Sequence, residues 1–546
     1  MSYPRKLHIL VVEDDADAIN ACKNSFEIFA KNFSLIEPVY VRSHDEAKGF
    51  IDGTDLFHVV ILDLNLPLAK RGQTAEGLVP GEQLLEDLAK RDSYPIPVVL
   101  IVSGKLNLAQ PIGGLQDRLT NDFWYGRLVN KGPGQAAEIE AGLAQALKYV
   151  DVGVHLRDGG GEWFPTLSPR EEDLLRRCVL SQSSSLGVDV RWWSAEPGAS
   201  VSQPSPNRGP TKVLMGHFLM DDGMGRSIPA FFKFQPAGDG PFDCRDTGIL
   251  AQKLPHVKIL HTANARQRSL IATQNVTNWG VPISLNEYLH GNPAVVVQNI
   301  PKLIKQAVDQ LSLLGNKREN EVPVSGFLWK YLDRAAIERA WNRCDCRQLV
   351  EDGYPNPLAT FDSITASTVK HWTNWTSCTH GDLNATNVAI DSSTPQGPQT
   401  YIFDAAGMKQ DLEFRDLATL EVTTILFNSV GNNEIAQACG AFYTNDLLPK
   451  EAPGLTSASS FAQNVFAMIA AIRSHLHPDQ DKIAYALLIF DAALRQLSGL
   501  GIQPSPNKVR NPFHACCIAA WSAKWIESIA PRLVTPAPPG NTNTIN

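Results

Sequence analysis

The chain has 546 residues, 43% hydrophobic and 19% charged, with 36 Pro and 39 Gly scattered rather than periodic. At roughly 150 residues per domain this predicts three to four domain-sized units and excludes disordered, collagenous and coiled-coil classes. With 49 basic and 57 acidic residues the net charge is −8 and the pI about 5.9, so no global attraction to nucleic acid or to an anionic membrane is expected.

The chain opens MSYPRKLHILVVEDD, a short basic segment running into an acidic one, with none of the long apolar stretch a signal peptide or membrane span needs. A cytoplasmic protein is expected, with neither membrane nor nucleic acid as partner. The nine cysteines contain no C-x-x-C pair, which predicts reduced thiols. Cys344 and Cys346 have no second pair at metal-ligand spacing, and Cys516 and Cys517 read as core residues of an apolar helix.

Residues 1–150 alternate short apolar strands (8–12, 38–42, 59–64, 98–102, 127–130) with helices near 16–30, 45–52, 81–91, 111–120 and 135–149. Fully apolar strands alternating with helices predict an α/β flavodoxin-like domain with a five-stranded parallel sheet. In such sheets the site lies beyond the carboxyl ends of the strands, where Glu13, Asp14, Asp63, Ser103 and Lys131 fall. Three gathered carboxylates repel, and an all-oxygen set of this kind suits Mg²⁺. Lys131 and the Ser103 hydroxyl are placed to hold phosphoryl oxygens, with Asp63 as nucleophile.

The ordered pieces VVEDD, LDLNLP, VSGK and NKG resemble the receiver domain of two-component response regulators over residues 6–150. The resemblance implies that Asp63 is the phosphoacceptor, that Glu13, Asp14, Asp63 and the Asn65 carbonyl bind Mg²⁺, and that Ser103 and Lys131 are the switch hydroxyl and the lysine of that family. It also implies a histidine kinase or phosphotransfer protein as phosphodonor. Two departures are visible: a longer loop after Pro67, and Leu128 where the family usually has an aromatic residue.

Residues 151–185 read as a Gly- and Pro-rich linker followed by a connecting helix that starts at Ser168. The segment LSPREEDLL has a superficial likeness to the start of a DNA-binding output domain. The polar 181–186 and the strand-like 187–193 do not continue that pattern.

From 186 onward the sequence predicts an α+β bilobal module: a strand-rich small lobe (186–295), a helical large lobe (296–530) and a disordered tail (531–546). The helical segments are expected at 296–315, 416–430, 458–475 and 482–497. The stretches THGDLNATNVAI and TYIFDAAG place Asp382 and Asn387 on a loop and Asp404 at a strand end. One carboxylate to position a hydroxyl, with an amide oxygen and a second carboxylate for Mg²⁺, is what phosphoryl transfer requires.

HGDLNATN, IFDAAG and RDLATLE resemble the aminoglycoside phosphotransferase and choline kinase family, with its protein-kinase-like fold. The resemblance implies Asp382 as catalytic base, Asn387 and Asp404 as Mg²⁺ ligands, His380 as a loop-shaping residue, and ATP as phosphodonor to a small-molecule or protein hydroxyl. Asp416 matches the start of the helix downstream of the catalytic loop. Lys233 is the small-lobe lysine expected at the phosphates, but the next helix has no Glu, so Asp246 would be its partner. The segment 196–210 is a Pro/Ser-rich loop rather than a compact Gly-rich turn. A non-catalytic pseudokinase adaptor is therefore the alternative. Trp372 and Trp375, like Trp521 and Trp525, read as core aromatics.

Overall fold

A computed structural model describes residues 6–32, 35–53, 57–67, 79–90, 98–104, 115, 119, 122–123, 125–151, 153–156, 168–186, 190–195, 212–220, 227–238, 240–265, 268–274, 283–344, 346–405, 408–428, 460–477, 480–500 and 512–533. Most of the helix expected at 111–120, the loop expected at 196–210, most of the long loop after Pro67 and residues 534–546 of the tail lie outside these residues, whereas Pro531–Leu533, expected to be disordered, form a 3-10 turn with Leu533 buried. The chain divides into two compact units, 1–244 with 258–275 and 245–257 with 276–546.

In the first unit, strands β1 (Lys6–Val12), β2 (Leu35–Val41), β3 (Val59–Leu62), β4 (Val98–Ser103) and β5 (Gly126–Asn130) form a parallel sheet in the order β2-β1-β3-β4-β5. This is the strand order of flavodoxin-like sheets. Helices α1 (Ala16–Asn32), α2 (His44–Asp52), α3 (Pro80–Lys90) and α4 (Gln135–Asp151) supply its covers. One face packs Leu10, Val12, Val60, Leu62, Val99 and Ile101 with α2 and α3; the other packs Ile9, Val11, Val59, Ile61 and Leu100 with α1 and α4. Strands buried on both faces explain the unbroken apolar runs of the sequence.

The same unit holds a six-stranded sheet ordered β10-β11-β9-β8-β7-β6. Its strands are β6 (Gly153–Leu156), β7 (Val190–Ala195), β8 (Lys212–Met220), β9 (Ser227–Pro236), β10 (Ile259–Ala265) and β11 (Arg268–Gln274). β6 lies in the stretch expected to be linker; its backbone pairs in parallel with β7. Helix α5 (Pro169–Leu186) connects the two. Ser168 and Glu171 close its N-terminus reciprocally, the Ser168 Oγ accepting from the Glu171 N–H at 3.3 Å and Glu171 Oε2 from the Ser168 N–H at 2.8 Å.

Leu174, Leu175, Cys178 and Val179 of α5 pack on Ala230, Phe232 and Phe234 of β9. Tyr149 of α4 donates its hydroxyl to the buried Asp173 at 2.6 Å, Arg170 donates to the Ala89 carbonyl at 2.5 Å, and Arg268 of β11 pairs with Glu171. One helix thus carries buried polar contacts to both sheets' surroundings.

The second unit is mainly helical. Its helices include Pro293–Leu314, Arg334–Arg343, Arg415–Asn428, Ser460–Arg473, Lys482–Leu500 and Pro512–Ile529. Two small sheets are set among them, ordered β12-β15-β16 and β13-β14-β17. The strands are β12 (Ile283–Ser284), β13 (Lys317–Pro323), β14 (Lys370–Thr376), β15 (Val388–Asp391), β16 (Gln399–Ile402) and β17 (Asp411–Leu412). Trp521 and Trp525 join the core, but Trp372 is 59% exposed, correcting its reading as a core residue. It sits on β14 three positions from the half-buried Trp375, and an odd separation on a strand sends two side chains to opposite faces.

Within this core Glu421 is fully buried and accepts from Arg473 at 2.7 Å and from the Tyr485 hydroxyl at 2.8 Å. Burial and, after it, the Glu421 carboxylate push the Tyr485 phenol well above its ordinary range, so it stays a donor. Replacing Glu421 by Ala takes the carboxylate away from a buried guanidinium, and we expect a loss of about 3–5 kcal/mol in the denaturant-unfolding free energy of this unit.

Candidate phosphoryl-transfer sites

In the first unit, β1 and β3 run side by side, so the residues that follow them, Glu13 and Asp63, leave the sheet together. The carboxylates of Glu13, Asp14 and Asp63 come within 4.8 Å of one another, the first and last buried and Asp14 exposed. Lys131, which follows β5, places Nζ 2.8 Å from Glu13 and 2.9 Å from Asp63. Burial pushes the Glu13 carboxyl above its ordinary range, while Lys131 and the Asp15 N–H pull it back. Burial also works against the Lys131 charge, but its hydrogen bonds to Glu13 and Asp63 outweigh this and hold the ammonium above its usual value.

Asn65 donates its N–H to Asp63 Oδ1 at 3.2 Å and its side-chain amide to the buried Ser103 Oγ at 3.4 Å. The five side chains expected at this site, with Asn65, are therefore gathered at one end of the sheet. Gly81 at the start of α3 lies so close that an added Cβ would stand 2.5 Å from the Asp63 carbonyl oxygen, so only glycine lets the helix seat there. A hard, oxygen-only donor set of three carboxylates at this spacing fits Mg²⁺.

In the second unit, the loop between β14 and β15 carries His380, Gly381, Asp382 and Asn387. His380 is fully buried and its Nε2 lies 2.9 Å from the Phe403 carbonyl. The main-chain N–H groups of His380 and Gly381 donate to the two oxygens of Asp416, at 2.7 and 3.0 Å. Asp416 begins the helix Arg415–Asn428 and is buried. Burial pushes its carboxyl up, against the opposing pull of His380 and the two N–H groups.

The Asn387 amide nitrogen donates to the Asp382 carbonyl at 2.8 Å and to the Asp404 carbonyl at 3.4 Å, bridging the two segments the sequence reading paired. Asp404 has φ +57°, the one non-glycine residue in the left-handed region among those described. With its NH₂ engaged by carbonyls, the Asn387 side chain has its oxygen as the remaining donor to a cation, and beside the Asp404 carboxylate this set also fits Mg²⁺.

The small-lobe expectations fare differently. Lys233 is half-buried on β9, in register with Ile271 on one side and Val213 on the other. Its neighbours Phe232 and Phe234 face the core, and strand alternation puts Lys233 on the opposite face. Asp246 belongs to the second unit, where it is buried, accepts from the Met408 N–H at 3.2 Å and pairs with Arg245 at 2.9 Å. Sequence reasoning missed this tie to the segment after Asp404, and it missed the grip of Asp416 on the catalytic-type loop. The signal available for the second was only an Asp in a first helical turn.

No protein-family model matches the sequence, and no curated protein matches it. Among solved structures, a protein designated a fructosamine-3-kinase from Haemophilus somnus 129PT aligns at 9% identity over 64% of this chain and 96% of its own, with a TM-score of 0.32. A microcompartment-associated aminopropanol kinase aligns at 13% identity over 65% of this chain and 98% of its own, with a TM-score of 0.30. Overlap this loose does not define a shared fold. No helix among the described residues is long and apolar enough to cross a membrane.

Replacing Asp416 by Ala strands two N–H donors at a buried site, at about 1–3 kcal/mol each. Chemical denaturation of Asp416→Ala is expected to show a loss of that order, with Asp416→Asn in between because its single carbonyl oxygen retains one acceptor group.

Proposed function

We propose that this chain is a two-component signalling protein in which Asp63 accepts a phosphoryl group and thereby modulates an attached ATP- and Mg²⁺-dependent, kinase-like phosphotransferase module. The observation that carries the reading is the cluster of Glu13, Asp14 and Asp63 with Lys131 set against two of its carboxylates. A structural salt bridge needs one acid for one base; three acids at strand ends beside a lysine and a buried hydroxyl form a site for a cation and an incoming phosphate.

In the proposed reaction an Asp63 oxygen attacks the phosphorus of a phosphorylated histidine kinase or phosphotransfer protein, forming an acyl phosphate as the donor's P–N bond breaks. Lys131 and the Ser103 hydroxyl hold the phosphoryl oxygens. Glu13, Asp14, Asp63 and the Asn65 carbonyl would hold Mg²⁺, which would offset the charge of the phosphoryl group. In the second unit Asp382 takes the proton of an acceptor hydroxyl on a small molecule or protein, and Asn387 and Asp404 would hold Mg²⁺.

Incubation with acetyl phosphate and Mg²⁺ is expected to give a base-labile phosphoprotein whose formation is lost in Asp63→Asn. An Asp63→Asn protein that gains the same label would sink the assignment.

The pseudokinase adaptor remains the second reading, favoured by Asp246: a short carboxylate where the resembled fold uses Glu, already engaged by Arg245 and the Met408 N–H. An active module predicts Mg²⁺-dependent thermal stabilisation by ATP that is lost in Asp404→Ala, and ATP turnover reduced about 10²–10⁴-fold in Asp382→Ala. Equal background turnover in both proteins and no thermal shift would favour the adaptor.

A further inference from the structure

Within the first unit, three arginines of α5 reach main-chain carbonyls of the five-stranded domain. Arg170 donates to the Ala89 carbonyl at 2.5 Å, Arg176 to the Tyr149 carbonyl at 3.3 Å and Arg177 to the Asp122 carbonyl at 3.3 Å. Ala89 and Tyr149 lie in the last turns of α3 and α4, where helix carbonyls have no partner inside the helix. Asp122 comes just ahead of β5. A helix that follows a parallel strand returns the chain toward the strand's amino end, so α5 holds the end of the sheet far from Asp63.

The contact at α3 is the one with a direct connection to Asp63. Gly81, in the first turn of α3, donates its N–H to the Leu64 carbonyl at 3.1 Å, and a Cβ there would stand 2.5 Å from both the Asp63 carbonyl oxygen and the Leu64 Cα. The helix is thus seated without slack on the main chain at Asp63. Its eleven residues span about 16 Å, with Leu84, Leu85 and Leu88 buried along the way. Close-packed interiors pass a displacement on instead of absorbing it. At the far end Ala89 and Arg170 are both buried, so a shift of the Ala89 carbonyl takes an acceptor from a guanidinium removed from solvent. α5 is tied onward in turn: Glu171 pairs with Arg268 of β11, and Leu174, Leu175 and Cys178 pack on Phe232 and Phe234 of β9.

We propose that α3 is a push rod from the Asp63 site to α5, with Arg170 as the positioning residue that couples the two, so that phosphorylation of Asp63 resets α5 and the six-stranded sheet beneath it. The inference rests on the reading of Asp63 as phosphoacceptor. A phosphoryl group brings charge and bulk to the side chain of Asp63, whose own main chain is the seat of Gly81. Because the hydrogen bond from Arg170 to Ala89 is short and buried, α5 follows the end of α3 or loses the bond. Arg176, which grips the end of α4, serves as the control for arginine removal on the same helix.

The test compares amide hydrogen exchange of the full chain, by mass spectrometry, in Mg²⁺ with and without acetyl phosphate. In the unmutated protein we expect phosphorylation to shift exchange in the peptides of α3, α5 and β9, and Asp63→Asn to abolish all three shifts. Arg170→Met is expected to be phosphorylated as before and to keep the α3 shift while losing those of α5 and β9; Arg176→Met is expected to keep all three. Merely structural damage at Arg170 would not separate the α3 response from the α5 response. Failure of the unmutated chain to be phosphorylated overturns the phosphoacceptor reading and this inference with it. Phosphorylation that shifts α3 but not α5, or an α5 shift that survives in Arg170→Met, overturns the inference alone. If Arg170→Met does not fold, Arg170→Lys, which keeps the charge on a shorter donor, is expected to weaken the α5 shift relative to that of α3, and an undiminished shift overturns the coupling.

Discussion

A carboxylate removed from water needs a cation or a set of N–H donors, and both units are organised around carboxylates that have found them. Lys131 answers Glu13 and Asp63, Arg473 and Tyr485 answer Glu421, and Arg415 answers Asp411 and Asp491. Asp416 is answered by two main-chain N–H groups. Each pairing fixes a loop or a helix end against a partner distant in sequence. Leaving any one of these acids alone would cost several kcal/mol, a large share of a typical domain's net stability. The polar interior therefore constrains geometry in a way an apolar core of equal volume does not.

The segment around Asp404 shows what this constraint achieves. A left-handed backbone at a non-glycine residue costs on the order of 1–3 kcal/mol and persists only where its surroundings over-determine it. Here they do. The Phe403 N–H donates to the Asn387 carbonyl at 3.1 Å, the Phe403 carbonyl meets His380, the Asp404 carbonyl accepts from the Asn387 amide, and Met408 is held by Asp246. The backbone is pinned on both sides of the one strained residue. Because His380 is itself held through Asp416, the helix Arg415–Asn428 sets the position of the loop that carries Asp382.

Much of this was legible in sequence where physics is local. The first sheet could be read strand by strand because strands covered on both faces are apolar without interruption, and the residues at their carboxyl ends then declared themselves. Ser168 announced its helix because a capping box is a four-residue signal. Gly153–Leu156 was not legible as a strand: four residues beside a Gly-rich stretch have no period to detect, and only pairing with β7 makes them one. The helix continues to Leu186 through the polar run SQSSSL, which offers little apolar periodicity; there Gln182 is buried by donating to the Leu260 carbonyl at 2.8 Å. The contact of Asp246 with Met408 joins residues too far apart for any spacing rule to reach.

The charge balance at the strand ends of the first sheet makes the same point from the chemical side. Three carboxylates and one ammonium meet in this partly buried site. Lys131 contacts two of the three acids and does not balance them all. A divalent cation cancels the remainder while leaving coordination positions for further oxygens. Burial pushes the Glu13 carboxyl up, and a cation beside it would pull the other way. Lys131 meets Glu13 and Asp63 together, so one ammonium ties the ends of β1, β3 and β5 to one another.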